Sequence, residues 1–279
     1  TCIIARSKLL TYKELSSKIS VPKIFNEISE IKTDDLPIFL KPDVGQGSKG
    51  TYLAKDIQEV KFYLRKDPTL LLLEYLPGDE FTIDCFTDKN GELRVCMPRV
   101  RRRTSNGISV NSEEVVDNKF KEIALIINNT LLFRGVWFFQ LKSNTKGDLV
   151  LLEVAPRVAG TMALTRSMGV NLPLLSLFDA QNLDIEISAN DYSMVIDRAL
   201  ENKFKHNIKY NHVYLDFDDL VIYEEKINIS VMAFVFQCIN NGVSVHLITK
   251  HKHELNETLL KHRLSSVFDE IIWLRNGEE

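Results

Sequence analysis

Apolar positions along the first two thirds of the chain alternate between a helical and an extended rhythm. Leu9, Leu10, Leu15 and Ile19 recur with a helical period across Lys8–Ile19 before Pro22 stops the run. Ile38–Lys41 reads as a strand, and Asp56–Arg65 as a helix with Ile57, Val60 and Leu64 on one side. Strands are predicted at Leu70–Tyr75 and Phe81–Thr87, around Pro77-Gly78, and again at Glu92–Arg99. Asp88-Lys89-Asn90-Gly91 is a hairpin signal, because Asn-Gly supplies the positive φ angles of a tight turn. A polar loop is expected through Asn106-Gly107. Helix Asp117–Asn129, hairpin Val136–Leu141 with Leu149–Glu153, and helix Leu172–Ala180 follow. Strands that arrive mostly as hairpins, with helices interposed, predict an α+β fold with antiparallel sheets for residues 1–190.

The rhythm then changes. Ser188–Asn211 is polar and mixed in charge, so residues 191–210 are expected to connect two domains. From residue 211 to 279 the order is strict: strand Val213–Leu215, helix Asn228–Asn240, strand Val243–Ile248, helix Glu254–His262, strand Glu270–Leu274. That alternation predicts a parallel βαβαβ unit. Neither an internal repeat nor a low-complexity tract stands out.

A chain of 279 residues that is 44% hydrophobic has enough apolar material for two packed cores. A formal charge of -3, with both signs interspersed, argues against nucleic-acid and membrane-surface partners. No apolar run reaches the roughly 18 residues needed to cross a bilayer. Cys2, Cys85, Cys96 and Cys238 show neither paired metal spacing nor disulfide density, so a reduced cytoplasm is the expected location. The first residue is Thr1, and the end follows a strand-like run; both features suggest a piece of a longer protein.

The chemistry concentrates in one ordered series of residues. Ile38-Phe39-Leu40-Lys41 delivers an ammonium to a loop carrying Gly45, Gly47, Ser48 and Gly50, whose small residues let backbone amides approach phosphate oxygens. Lys8 is a second point charge suited to α- and β-phosphates. Glu74-Tyr75-Leu76 ends a strand, offering backbone groups to an adenine, and Glu80 stands six residues further on, where it could accept ribose hydroxyls. Gln140 and Glu153 face one another across a hairpin as hard oxygen ligands of the kind Mg²⁺ takes.

In this order the series resembles the ATP-grasp superfamily, in particular its carbamoyl-phosphate-synthase-like and biotin-carboxylase-like members, over about residues 3 to 182. The family's Glu-Tyr-x-x-Gly-x-Glu reads here Glu74-Tyr75-Leu76-Pro77-Gly78-Asp79-Glu80, and its Glu-x-Asn-x-Arg reads Glu153-Val154-Ala155-Pro156-Arg157. The resemblance implies ATP and Mg²⁺ as cofactors, with Mn²⁺ as an acceptable substitute. It implies Lys8 and Lys41 on phosphates, Glu74 and the Tyr75–Leu76 backbone at adenine, and Glu80 at the ribose. Gln140 and Glu153 would hold the metal, and Arg157, with Lys41, would stabilise charge in the reaction. Arg99 and Arg101 resemble basic residues turned toward phosphate or substrate. The implied activity is that of a carboxylate–amine ligase, in which a small-molecule carboxylate attacks the γ-phosphate and an amine or similar nucleophile displaces the acyl phosphate. Two departures stand out: Ala155 replaces the family's Asn, and this segment is expected to lack the domain that usually precedes it in the family.

In the last part, Asp216-Phe217-Asp218 follows an apolar strand, so both carboxylates lie on one side of an extended chain. This resembles the first motif of the haloacid-dehalogenase-like (HAD) phosphatases, with Asp216 as nucleophile and Asp218 as general acid/base, while Thr249 fits their second motif. Leu220 stands where those enzymes carry Thr, and their later lysine and acidic pair would fall beyond Glu279. The expectation is a partial, inactive HAD-like unit, with phosphatase activity and a non-catalytic ATP-binding module as the alternatives to the ligase. His251, His253 and His262 are expected to be exposed histidines at helix ends.

Overall fold

The computed structural model describes residues 1–191, 193–199 and 208–274. They form two compact units, Thr1–Leu200 and Glu201–Glu279.

The first unit begins with the short helices α1 (Cys2–Arg6) and α2 (Lys8–Leu15). A four-stranded sheet follows, made of β1 (Ile24–Phe25), β2 (Ile38–Pro42), β3 (Tyr52–Ala54) and β4 (Leu70–Glu74) in the order β1-β4-β2-β3, with every pair antiparallel. Helix α3 (Ile57–Lys66) covers one face of it. Its start is set by Asp56, whose carboxylate accepts from the Gln58 and Glu59 amides at 2.8 and 2.9 Å. Such a cap is worth about 1 kcal/mol. On this sheet Ile38, Leu40, Leu70 and Leu72 pack with Phe25 and Val60, so Phe39, Lys41 and Leu73 point the other way.

A six-stranded sheet contains β5 (Glu80–Thr87), β6 (Leu93–Ser105), β7 (Ile108–Glu114), β8 (Gly135–Ser143), β9 (Leu149–Ala155) and β10 (Val195–Asp197), in the order β10-β7-β6-β5-β8-β9. Helix α4 (Asn118–Leu131) buries Phe120, Ala124, Ile127 and Leu131 against Ile83, Cys85, Trp137, Phe139, Leu141 and Val154. Those strand residues occupy alternate positions, so their neighbours Glu80, Thr82, Gln140, Lys142 and Glu153 share the opposite face. Helices α5 (Ala163–Ser167) and α6 (Leu172–Ala180) complete this unit.

Two expectations change here. Residues 191–210 were expected to connect domains, yet Val195–Asp197 is an edge strand, paired antiparallel with Asn111–Glu113 of β7; residues 192 and 200–207 lie outside the described residues. The stretch after Arg99 is strand as far as Ser105, because Asn106 and Gly107, both with positive φ, close a tight hairpin into β7.

Arg99, expected near phosphate or substrate, is fully buried and does not serve that role. Its guanidinium donates to both carboxylate oxygens of Asp84, at 2.6 and 3.2 Å, and to Thr161 Oγ1 at 2.9 Å. Thr165 Oγ1 donates to the same carboxylate at 2.7 Å. The network joins β5 and β6 to the segment before α5, and its donors are committed inside the protein.

The second unit has β11 (His212–Leu215), the small hairpin β12 (Ile222–Tyr223) and β13 (Lys226–Ile227), helix α7 (Ile229–Asn240), β14 (Ser244–Thr249), helix α8 (Leu255–Lys261) and β15 (Glu270–Trp273). Its sheet is parallel in the order β11-β14-β15, over a core of Leu215, Phe217, Val235, Val245, Leu247 and Leu259. Among the described residues no helix is long and apolar enough to cross a membrane.

Removing one member of a buried ion pair strands the other charge, at about 3–5 kcal/mol. Asp84→Ala is therefore expected to destabilise the first unit by that amount in urea unfolding, whereas Arg102→Ala, which loses an exposed pair with Glu113, should change stability by less than about 1 kcal/mol.

Candidate active site

The polar face of the six-stranded sheet and the outer face of the four-stranded sheet border one cavity of about 970 Å³. Lys8, Lys41, Gly45, Gly47, Ser48, Glu74, Tyr75, Leu76, Glu80, Arg101, Gln140, Glu153 and Arg157 all line it. Of the residues expected there, Gly50 and Arg99 are not in the lining.

A residue outside the motif positions ties the helix that starts at Lys8 to the strand that carries Lys41. Asp43, just past β2, accepts from Ser7 Oγ at 2.8 Å and from the Leu9 amide at 2.8 Å, which fastens the start of α2 to the end of β2. Its carbonyl also accepts from Lys8 Nζ at 3.0 Å. Lys41 is 5% exposed, and its Nζ donates to Tyr12 Oη at 2.8 Å and to the Leu152 carbonyl at 3.3 Å. Tyr12 Oη in turn donates to Leu152 O at 2.7 Å. Burial, reinforced by the charge of Lys8, brings the Lys41 pKa down to about 7, while Glu153 and Glu80 oppose the shift. Burial pushes the Tyr12 hydroxyl up, so it remains a donor. Lys8 is also lowered, chiefly by burial.

Glu74 closes β4 and accepts the Lys23 amide through its carboxylate at 3.1 Å. Beyond it, neither Tyr75 nor Leu76 uses its backbone N–H or C=O for a hydrogen bond among the described residues. That leaves a strip of donors and acceptors on the cavity wall. Gly78 is needed to seat it: a Cβ there would come within 2.6 Å of the Ser143 Cβ and 2.8 Å of its carbonyl oxygen.

Gln140 and Glu153 stand directly opposite one another on β8 and β9, and neither side chain makes a hydrogen bond among the described residues. Two hard oxygen donors on the cavity floor with nothing to bind suit Mg²⁺, which commonly takes one or two carboxylates together with phosphate oxygens and waters. Ala155 lies on the same face, opposite Phe138, so the position after Glu153 on this face presents a methyl group.

Arg101 and the two loops shape the roof. The Arg101 guanidinium pairs with Glu80 and donates to the Gly107 carbonyl at 2.8 Å; its Nε is buried without a partner. Gly107 touches the glycine loop so closely that a Cβ there would lie 2.3 Å from Ser48 Oγ and 2.7 Å from the Gly47 carbonyl carbon. Thus the tip of the β6–β7 hairpin and the glycine loop meet over the cavity. Arg157 lies over the Phe138 ring, 4.9 Å from its centroid. Among the described residues Lys8, Lys41, Lys49, Lys142, Arg157 and Arg198 have no carboxylate within ion-pair distance, though all of them line the cavity. The cleft is a cationic pocket that carries a few placed carboxylates, an arrangement suited to an anion with bound metal.

In the second unit, Asp216, Asp218 and Thr249 lie at the C-terminal ends of the parallel strands. His251, expected to be exposed, is instead a partner there: its Nδ1 lies 2.8 Å from Asp218 Oδ1, its amide donates to Thr249 Oγ1 at 3.1 Å, and its Nε2 is 3.1 Å from Thr258 Oγ1. A tertiary contact across two βα loops carries no signal in either loop's sequence.

Comparison with known proteins shows what the first unit is similar to. A family described as "ATP-grasp in the biosynthetic pathway with Ter operon" matches residues 66–199. The D-alanine–D-alanine ligase of Petrotoga mobilis is 27% identical over 187 residues, which cover 59% of this chain and 61% of that protein. The chain thus spans about three fifths of that relative's length. Among solved structures, the N5-carboxyaminoimidazole synthetase of Staphylococcus aureus complexed with ADP superposes with a TM-score of 0.61 at 16% identity, over 71% of this chain and 57% of that one. The biotin carboxylase–β,γ-ATP complex of Campylobacter jejuni gives 0.59 at 12% identity, over 66% and 48%. The antiparallel sheets and helices of Thr1–Leu200 form an ATP-grasp-like fold, and the ATP-grasp superfamily is the class that sequence and structure together support.

A triphosphate that binds beside Lys41 favours its charged form, so its pKa must rise from about 7 on binding. At pH 8 the free protein holds Lys41 mostly neutral, and ATP binding should take up close to one proton. Calorimetry in buffers of different ionisation enthalpy measures this uptake. Affinity should fall as pH rises through 7 and beyond, and Lys41→Met should abolish the uptake.

Proposed function

We propose that this chain is an ATP- and Mg²⁺-dependent ligase that activates a small-molecule carboxylate as an acyl phosphate for attack by an amine or similar nucleophile. The observation that carries the reading is convergence: Lys8, Lys41, the glycine loop, Glu80, Gln140 and Glu153, scattered over 146 positions of sequence between residues 8 and 153, line one cavity. The match to a ligase and the fold shared with structures holding ADP or an ATP species support it.

In this reading the adenine edge lies against the free backbone of Tyr75 and Leu76, beside Glu74. Glu80 accepts ribose hydroxyls, which requires Arg101 to yield part of its hold on that carboxylate. Lys8 and Lys41 neutralise phosphate oxygens, and Gly45, Gly47 and Ser48 offer amides from above, while Gly50 lies outside the lining. Gln140 and Glu153 would hold Mg²⁺, which would supply neutralisation of phosphate charge. Arg157 faces the negative charge that builds on the transferring phosphoryl group and the carboxylate it joins. Phosphoryl transfer demands mainly alignment and charge compensation, and a cleft rich in unpaired cations provides both. The substrates are small molecules rather than nucleic acid or membrane, and the setting is the cytoplasm.

One observation favours a second reading, a non-catalytic ATP-binding module: Ala155 leaves the metal site with two protein ligands. The two readings separate in one assay. As a ligase, the chain releases ADP faster when a suitable acid and amine are added; as a binding module, ATP raises the melting temperature while no acid stimulates ADP release. We further infer that Glu201–Glu279 is a HAD-like unit in which Asp216, Asp218 and Thr249 face one phosphate-binding edge.

Glu153→Ala should lower Mg-dependent ADP release by roughly 100-fold or more, the scale of losing one preorganised electrostatic partner. Ala155→Asn should tighten the Mg²⁺ requirement curve, shifting half-saturation to lower metal. Unchanged ADP release in Glu153→Ala would overturn the ligase reading. If Asp216 is a nucleophile, p-nitrophenyl phosphate will be hydrolysed and Asp216→Asn will stop it; otherwise the second unit is silent in that assay.

A further inference from the structure

We propose that Arg198 recognises a second anionic group on the acid that this site activates, so that the preferred acid carries either two carboxylates or a carboxylate and a phosphate. The inference rests on the ligase reading and adds a substrate class to it.

Arg198 belongs to none of the motif positions above; it follows the edge strand β10. That strand is pinned twice. Its residues pair with β7, and the Arg198 amide donates to the Val110 carbonyl at 2.7 Å. Asp197 holds Arg103 at 2.7 Å and Asn111 Nδ2 at 3.3 Å on the outer side of the hairpin. Successive residues of an extended chain project to opposite sides, so with Asp197 fixed outward, Arg198 reaches back to the cavity. There its Nη1 donates to the Gly160 carbonyl at 3.1 Å, on the same wall segment that begins with Arg157.

That bond uses one of the guanidinium's five N–H donors. Among the described residues no carboxylate neutralises Arg198, and none neutralises Arg157. The wall from 157 to 160 therefore presents two uncompensated guanidinium groups. A carboxylate poised for attack on the γ-phosphorus provides one negative charge, and Arg157 is placed to meet it. With a neutral substrate tail, Arg198 would be left with the Gly160 carbonyl and solvent; a tail bearing carboxylate or phosphate oxygens supplies a counter-charge, bidentately. The roof does not supply it either: Glu80 is engaged by Arg101, and Glu74 by the Lys23 amide.

The test is calorimetric titration of the full chain saturated with Mg-ADP, using succinate, 3-phosphonopropionate and, as the single-charge control, butyrate. The expected result is that both dianions bind at least about tenfold more tightly than butyrate. Arg198→Ala should remove the difference, Arg198→Lys should restore part of it, and neither should change ADP affinity more than twofold. A preference for succinate over the phosphonate, or the reverse, identifies which anion the pocket takes. Three outcomes would overturn the proposal: equal affinity for butyrate and the dianions, no binding of any of the three, or a loss of ADP affinity in Arg198→Ala as large as the loss for succinate. The last would make Arg198 a nucleotide contact. Failure of the wild-type chain to bind Mg-ADP is a separate result and would sink the ligase reading itself.

Discussion

The cleft depends on keeping an ammonium group, that of Lys41, inside a folded protein with no carboxylate within ion-pair distance among the described residues. Lys41 is almost wholly buried, and among the described residues its hydrogen bonds go to a tyrosine hydroxyl and a backbone carbonyl. Desolvation disfavours its charge, and the site accommodates this by letting the proton leave near neutral pH rather than by adding a fixed counter-ion. A fixed carboxylate at that position would stabilise the empty protein and compete with a phosphate. Tyr12 and Leu152 hold the nitrogen in place while leaving its charge to be settled by what enters the cavity.

The six-stranded sheet makes such a site affordable in structural terms. Ile83, Cys85, Trp137, Phe139, Leu141 and Val154 pack beneath α4, while Thr82, Phe138, Gln140 and Glu153 on the other face of the sheet line the cavity. A sheet with one apolar and one polar face is common; here a second sheet, the glycine loop and the β6–β7 hairpin roof the polar face. The buried Arg99–Asp84 pair fixes the floor near α5. On the roof, Arg101 ties Glu80 to the hairpin tip, which touches the glycine loop. Glu80 and the glycine loop are therefore linked through one side chain.

Much of this was legible in the sequence. Helix α6 spans the residues its periodicity marks, and most other elements differ from expectation by one or two residues at their ends, because caps such as Asp56 and Asp117 set helix starts by local bonds. The cavity-lining positions from Lys8 to Arg157 were readable because each is tied to a local element, a strand end or a turn, that leaves a mark in sequence. Arg99 misled for the opposite reason. An arginine on the polar face of a strand looks the same whether it faces a ligand or a buried aspartate, and Asp84 and Thr161 lie 15 and 62 positions away. His251 escaped notice likewise, since its partner Asp218 is 33 residues distant.

The chain's order of residues thus determined the strands, the turns and the types of chemical group available, because those follow from side-chain periodicity and local backbone preference. Only the tertiary structure decided which groups keep free bonds. Asp43 fastening the start of α2 to the end of β2, Val195–Asp197 serving as an edge strand, and Arg198 reaching the cavity wall all arise from pairings between distant segments, whose energies depend on distance and burial rather than on neighbours in sequence.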